Sequence, residues 1–409
     1  MSTLVSCPPI SAPDVPDFSP AEVPLGNPAA TAVLAPVAKP PRSAWVEINL
    51  GHLRRNFALI GNDKPRELQI LSVVKDDGYG HGGLQVASAA LSAGAVFLAL
   101  STVEEAVKLR EQGVRTRMLL LGDRQESEFP WCVAHDLTCC VSEPHSVRVL
   151  AQLAERAGKH LPVHLKINTG MNRYGVRWDE AAALAEKITA SRSLVLEGAL
   201  SHFAQSDEAD KTFARCQLAR YQEAVKSIAG RGIDLRFRHL CNSGGFLDLP
   251  EAYFDMVRLG ILPLGVFPSS VCRRIPGVEA VMSVKARIAA IQKLEPGDTV
   301  GYGMRFTAPS PKRIAVLPIG YGDGFPRVRN QGCALIHGYR APLVGGVAMD
   351  AVTIDITDIP AAQLWDEAVL MGRQGEDEIS VHEMARLRNS VSYDVLTSWR
   401  SRLPRIYVE

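Results

Sequence analysis

Between residue 68 and about residue 258 short apolar runs alternate with longer stretches of helical character. The runs are Leu68 to Lys75, Ala95 to Ser101, Arg117 to Gly122, Leu137 to Ser142, Val163 to Asn168, Leu194 to His202, Leu235 to Asn242 and Phe254 to Arg258. The first of them, Leu68-Gln69-Ile70-Leu71-Ser72-Val73-Val74, is short, largely apolar and partly β-branched, so it fits a buried strand better than a helix. Helix signals fill the gaps. Thr102-Val103-Glu104-Glu105 has capping-box spacing, and Trp178-Asp179-Glu180 leads into the Ala-rich segment 181–190. Eight strand-and-helix units in sequence predict an α/β fold, a (β/α)8 TIM-type barrel.

After Pro276 the texture changes. Val281 to Ile291, Arg313 to Leu317, Cys333 to His337, Leu343 to Val347 and Val352 to Ile356 are short β-rich runs broken by Gly and Pro, and helical spacing is scarce until Ser380 to Leu387. A mainly β C-terminal domain is expected there. One further run, Trp45 to Leu50, precedes the first barrel unit and is surplus to it, so it is expected to pair with the second domain. The organisation predicted is a disordered N-terminal arm over 1–43, a barrel over 44–275 and a β-domain over 276–409.

Charge and composition then narrow the function. With 45 basic and 44 acidic residues the net charge is +1, which leaves no overall electrostatic footprint for nucleic acid or an anionic membrane. A small-molecule partner is favoured. The eight cysteines are scattered without a C-x-x-C pair, so no zinc or redox site is indicated and they read as reduced thiols in a cytoplasm. No apolar stretch reaches the roughly 18 to 20 residues of a membrane span. The arm is rich in Pro, Ala and Ser, holds no Lys or Arg before Lys39, and carries Asp14, Asp17 and Glu22, which argues against a secretory or organellar targeting segment.

Candidate chemistry sits where the runs end, as a barrel requires. Lys75 ends the first, Lys166 and Asn168 the fifth, His202 the sixth, Asn242 the seventh and Arg258 the eighth. A lysine at a strand end is ordinarily solvated. Lys75, however, is followed by Asp76-Asp77-Gly78-Tyr79-Gly80-His81-Gly82-Gly83, whose glycines let backbone approach a ligand and whose tyrosine offers a hydroxyl to a phosphate. A lysine so placed can be a Schiff-base nucleophile.

These residues carry a family resemblance. Val74 to Gly82, Lys166-Ile167-Asn168-Thr169-Gly170-Met171-Asn172-Arg173, Ser201-His202-Phe203-Ala204, His239 to Ser243 and Val257-Arg258-Leu259-Gly260-Ile261 resemble segments of alanine racemases. So do Val300-Gly301-Tyr302-Gly303, Pro318 to Gly324 and Val347-Ala348-Met349-Asp350, in the family's order from residue 45 to the end. The resemblance implies a pyridoxal 5′-phosphate enzyme, a cytoplasmic homodimer with shared active sites, that interconverts L- and D-alanine for cell-wall synthesis. It implies that Lys75 carries the cofactor and serves as one base, with Tyr302 from the partner subunit as the other. Inversion needs proton removal on one face of the α-carbon and delivery on the other, and two flanking bases satisfy that.

Residue by residue, the resemblance gives Arg258 to the pyridine nitrogen, His239 to orienting Arg258, and His202 to a place near the ring. Tyr79, Ser243, Gly260 and Ile261 would hold the phosphate, with Asn242 beside them in the cofactor site. Arg173 and the Met349 backbone would hold the substrate carboxylate, and Lys166 matches a position carbamylated in some relatives.

Two departures stand out. Asp76 and Asp77 replace the family's common Ala-Asn and are expected to raise the pKa of the neighbouring lysine. Ser401 is read at a position where some alanine racemases have a tyrosine that narrows the pocket, which leaves open a racemase of wider scope, accepting serine for example. A barrel-type pyridoxal phosphate decarboxylase would need another group where Tyr302 stands, and a non-enzymatic cofactor-binding protein would resemble the barrel alone.

Overall fold

The computed structural model describes residues 42–409; the arm expected over 1–43 lies outside the described residues up to Pro41. The chain enters as a strand, β1 (Ala44–Asn49), followed by the helix α1 (Leu50–Asp63), which Asn49 caps by accepting the His52 N–H at 2.7 Å. Then come β2 (Gln69–Val73), β3 (Phe97–Leu100), β4 (Arg117–Leu120), β5 (Thr138–Val141), β6 (Leu161–Asn168), β7 (Val176–Arg177), β8 (Leu194–Leu200), β9 (Phe237–His239) and β10 (Met256–Leu259). Each predicted run overlaps one of these strands, β6 starting two residues earlier than predicted and β10 ending one residue later.

Leaving aside β1 and the short β7, they form one parallel sheet in the order β10-β2-β3-β4-β5-β6-β8-β9. The sheet nearly closes on itself. At the seam the Asp255 N–H donates to Arg238 O at 3.1 Å and the Arg258 N–H to Cys241 O at 2.9 Å. Strands β3 and β5 are buried along their whole length, which is why such strands read as unbroken apolar runs rather than as alternation. The helix Val103–Glu111 opens with the predicted capping box, and Ala181–Thr189 follows Glu180.

The second domain is mainly β. Strands Met282–Arg287, Ala290–Leu294, Lys312–Leu317, Cys333–Ile336 and Val352–Asp355 fall on the expected runs. The run from Val281 to Ile291 breaks so that its halves join different sheets. Leu343 to Val347 is a correction: it forms no strand and contributes only isolated bridges, from Leu343 to Ile354 and from Gly346 to Arg329. As expected of the surplus run, β1 lies in this domain, antiparallel to Met282–Arg287 and parallel to the last strand, Arg405–Val408. One continuous apolar core runs through barrel and β-domain. Among the described residues no helix is long and apolar enough to cross a membrane, and every cysteine is a free thiol.

Candidate active site

A cavity of about 760 Å³ opens at the C-terminal ends of the barrel strands. Lys75, Arg124, Lys166, Arg173 and Arg258 line it against only two carboxylates, Asp76 and Asp394. That surplus of positive charge suits a ligand with anionic groups.

Lys75 follows β2 and begins a turn that sequence reading took only as glycine-rich. Five successive residues, Asp76, Asp77, Gly78, Tyr79 and Gly80, have φ between 52° and 77°. They make one left-handed helical turn. For its three non-glycine residues that conformation costs about 1–2 kcal/mol each, so the surroundings must hold it. Glu105 does so from the neighbouring helix: its carboxylate accepts the N–H groups of Asp76, Ser101 and Thr102. Asp77 Oδ1 accepts the Gly83 N–H at 3.0 Å.

The Lys75 side chain lines the cavity directly before this turn. Burial and the Arg173 guanidinium lower the Lys75 amine below the usual lysine range, while Glu105 and Asp76 pull weakly the other way. The rise expected from Asp76 and Asp77 is therefore outweighed, because desolvation of the ammonium is the larger effect.

Opposite stands Arg258, buried on β10. It donates to His239 Nδ1 at 3.1 Å, to His202 Nδ1 at 3.0 Å, and to the carbonyls of Ser201, His239 and Leu240. None of these acceptors is a carboxylate, and burial lowers the guanidinium to about 10. Because arginine only donates, both imidazoles must accept through Nδ1 and carry their proton on Nε2. Burial and Arg258 hold both histidines well below the usual imidazole range, hence neutral.

Neutral donors gather beside it. Ser243 Oγ lies 3.4 Å from the N–H groups of both Gly260 and Leu262. A Cβ at Gly260 would stand 2.6 Å from the Tyr79 hydroxyl oxygen, so only glycine leaves that cradle open. Asn242 lines the cavity, but its Oδ1 is taken up by the Gly245 N–H and the Ser206 hydroxyl. Lys166 is buried nearby, and desolvation, helped by Arg258, lowers its amine to about 7.

Two family models match the chain: alanine racemase, N-terminal domain, over residues 48–268, and alanine racemase, C-terminal domain, over residues 281–407. The chain belongs to the alanine racemase family. It is an enzyme of the racemase class, an isomerase. An alanine racemase of Syntrophobacter fumaroxidans is 38% identical over 356 residues, covering 87% of this chain and 95% of that protein. The solved alanine racemase of Clostridium difficile 630 matches with a TM-score of 0.87 and 30% identity, covering 91% of this chain and 97% of that one. A histidine racemase from Leuconostoc mesenteroides matches at 0.83 and 27% identity, covering 91% and 99%.

Of the residues that the alanine racemase resemblance marks, the cavity collects Lys75, Tyr79, Lys166, Arg173, His202, Asn242, Ser243, Arg258, Gly260 and Ile261. His239 stands behind Arg258, outside the lining. Tyr302 and Met349 lie elsewhere, on the β-domain. Tyr302 tips the hairpin between Thr299–Val300 and Phe306–Thr307, 83% exposed, and Met349 sits in a separate concavity with Tyr321, Arg400 and Ser401.

Ser401 likewise lies outside the Lys75 cavity, in the concavity that holds Met349. The aromatic beside the donor cradle is Tyr393, on the helix Ser392–Ser398, with its ring 6.2 Å from that of Tyr79. Tyr393, Arg124, Tyr174 and Thr397 are lining residues that sequence reasoning missed. The helix bearing Tyr393 has only seven residues, too few for a periodic signal.

Proposed function

We propose that this chain interconverts the L and D enantiomers of alanine with pyridoxal 5′-phosphate as cofactor, using Lys75 and the partner subunit's Tyr302 as the two bases. One observation carries the reading: a lysine amine with no hydrogen-bond partner among the described residues, followed by a left-handed turn, shares a cavity with a buried arginine that, among those residues, bonds only to neutral groups. Bound pyridoxal phosphate supplies the delocalising ring that makes an α-carbon proton removable.

The donor set fits that group. Tyr79, Ser243 and the N–H groups around Gly260 would hold the phosphate, and Arg258, which cannot give up its proton, would leave the pyridine nitrogen unprotonated. A weaker electron sink favours prompt reprotonation of the α-carbon over transamination. Lys75 holds or releases a proton on one face. Arg173 would take the substrate carboxylate by its fork, joined by the Met349 backbone.

In this reading residues 44–275 bind the cofactor, residues 276–409 supply Tyr302 and Met349, and the enzyme works in the cytoplasm as a homodimer, supplying D-alanine for the cell wall. Tyr302 and Met304, both strongly exposed on this one hairpin, support a surface meant for a neighbouring copy. Tyr393 closes on the cavity beside Tyr79 and so supports a small side chain. A panel of L-amino acids followed for racemisation tests this: alanine should be turned over fastest. Comparable rates for serine or histidine would favour the broader racemase, toward which the histidine racemase likeness points.

Lys166 is proposed to be carbamylated. An amine lowered to about 7 is about half neutral near neutrality, so it can add to carbon dioxide, losing a proton and gaining a carboxylate in the cavity that Arg173 also lines. Protein equilibrated with ¹³C-bicarbonate should show a carbamate carbon resonance that Lys166→Ala lacks. An unchanged spectrum between the two would end the proposal.

A further inference from the structure

Behind Arg258 a line of buried polar groups runs back through four neighbouring barrel strands. Arg258 donates to His239 Nδ1 at 3.1 Å, and His239 Nε2 lies 2.8 Å from His164 Nδ1. His164 Nε2 faces Glu197 Oε2 at 3.8 Å, and neither of those two buried atoms has a hydrogen-bond partner among the described residues. The other carboxylate oxygen, Oε1, takes a hydrogen bond from Arg117.

The polarity of this line follows from its ends. Arginine can only donate, so His239 Nδ1 accepts and its proton is on Nε2. That proton fills His164 Nδ1, which leaves the proton of His164 on Nε2, aimed at a carboxylate that can only accept. The ring packs tightly on β8: a Cβ at Gly198 would stand 2.6 Å from the Phe237 carbonyl oxygen, 2.9 Å from His164 Cε1 and 3.0 Å from its Nδ1.

We propose that Glu197 is a positioning residue for Arg258: acting through His164 and His239, it fixes the tautomers that let His239 accept from the guanidinium. Its role in the reaction rests on the reading of Arg258 given above. Among the described residues Arg258 has no acid of its own, and this line is its connection to a negative charge inside the barrel. Without a fixed acceptor at Glu197, His164 is free to hold its proton on Nδ1. His239 would then turn an N–H toward Arg258, donor against donor, and the guanidinium would lose its seat.

Glu197→Gln tests the idea sharply. Arg117 would claim the amide oxygen, leaving the NH2 group toward His164 and reversing the polarity of the whole line. Nitrogen-15 spectra of histidine-labelled full-length protein should show His164 and His239 as Nε2–H tautomers in the wild type and as Nδ1–H tautomers in Glu197→Gln. The same variant should raise pyridoxamine phosphate formed per racemisation by about tenfold, equivalent to about 1.4 kcal/mol. Arg258→Glu, which offers the pyridine nitrogen a protonating partner, sets the upper limit of that rise.

His164→Gln and His164→Leu guard against loss of folding as the explanation. Glutamine reproduces the pattern, its oxygen accepting from His239 and its NH2 group donating to Glu197, and should restore the wild-type ratio, whereas leucine should not. An Nδ1–H tautomer at either histidine in the wild type, or equal ratios for the glutamine and leucine variants, would overturn the proposal. If Arg258→Glu itself produced no rise, the reading of Arg258 would fall, and the tautomers would still decide the relay.

Discussion

Replacing Lys75 with alanine is expected to abolish racemisation and to remove the visible absorbance band that bound cofactor gives the purified protein. The amine it deletes has no hydrogen-bond partner among the described residues and is lowered by burial and by Arg173, so it is poised to react rather than to brace the fold. A positioned general base alone contributes about 10²–10⁴-fold. Lys75 would also be the covalent anchor of the cofactor, so the loss should exceed the upper end of that range. The left-handed turn is held by the Glu105 carboxylate and by Asp77, through contacts to backbone N–H groups that the alanine variant keeps. Circular dichroism should therefore match the wild type. A variant that retained a borohydride-reducible band and near-normal turnover would sink the assignment.

The barrel was legible because its strands are buried on both faces and its helices are not. Runs such as Leu137 to Ser142, where β5 is buried from end to end, leave a trace in composition that needs no knowledge of the partner strands. The β-domain is less legible. Its sheets include strands of two to four residues, such as Thr299–Val300 and Tyr339–Pro342, whose pairing is set by contacts distant in sequence. Leu343 to Val347 has the composition of a strand, yet the sheet gives it only isolated bridges.

Within the site, the strand-end criterion found Lys75, Lys166, His202, Asn242 and Arg258, while Asn168, which it also marked, lies outside the cavity lining. It could not find Glu197 and His164, which lie inside β8 and β6 and act along the barrel axis rather than at its rim. Nor did the letters Asp76, Asp77 and Tyr79 reveal a left-handed turn. That conformation is disfavoured locally and is imposed by Glu105 and the packing around it.

Tyr302→Phe should nearly stop racemisation while leaving the Lys75-linked absorbance band in place, and it should separate the two directions of the reaction. If Lys75 and the partner subunit's Tyr302 each serve one enantiomer, losing the phenol removes one proton carrier and spares the other. Exchange of the α-proton with solvent should then survive better for one enantiomer, while the overall rate falls by roughly 10²–10⁴-fold. The position of Tyr302 adds a second test. It stands at an exposed hairpin tip and outside the cavity that holds Lys75, so the proposed role of Tyr302 as second base requires another copy of the chain. Mixed dimers of Lys75→Ala and Tyr302→Phe protomers, each inactive alone, should regain activity, because one of their two sites combines an intact lysine with an intact tyrosine. Equal loss of exchange for both enantiomers would remove the two-base reading. Absence of rescue in verified mixed dimers would remove the shared site, and with it the reason for a phenol at the tip of that hairpin.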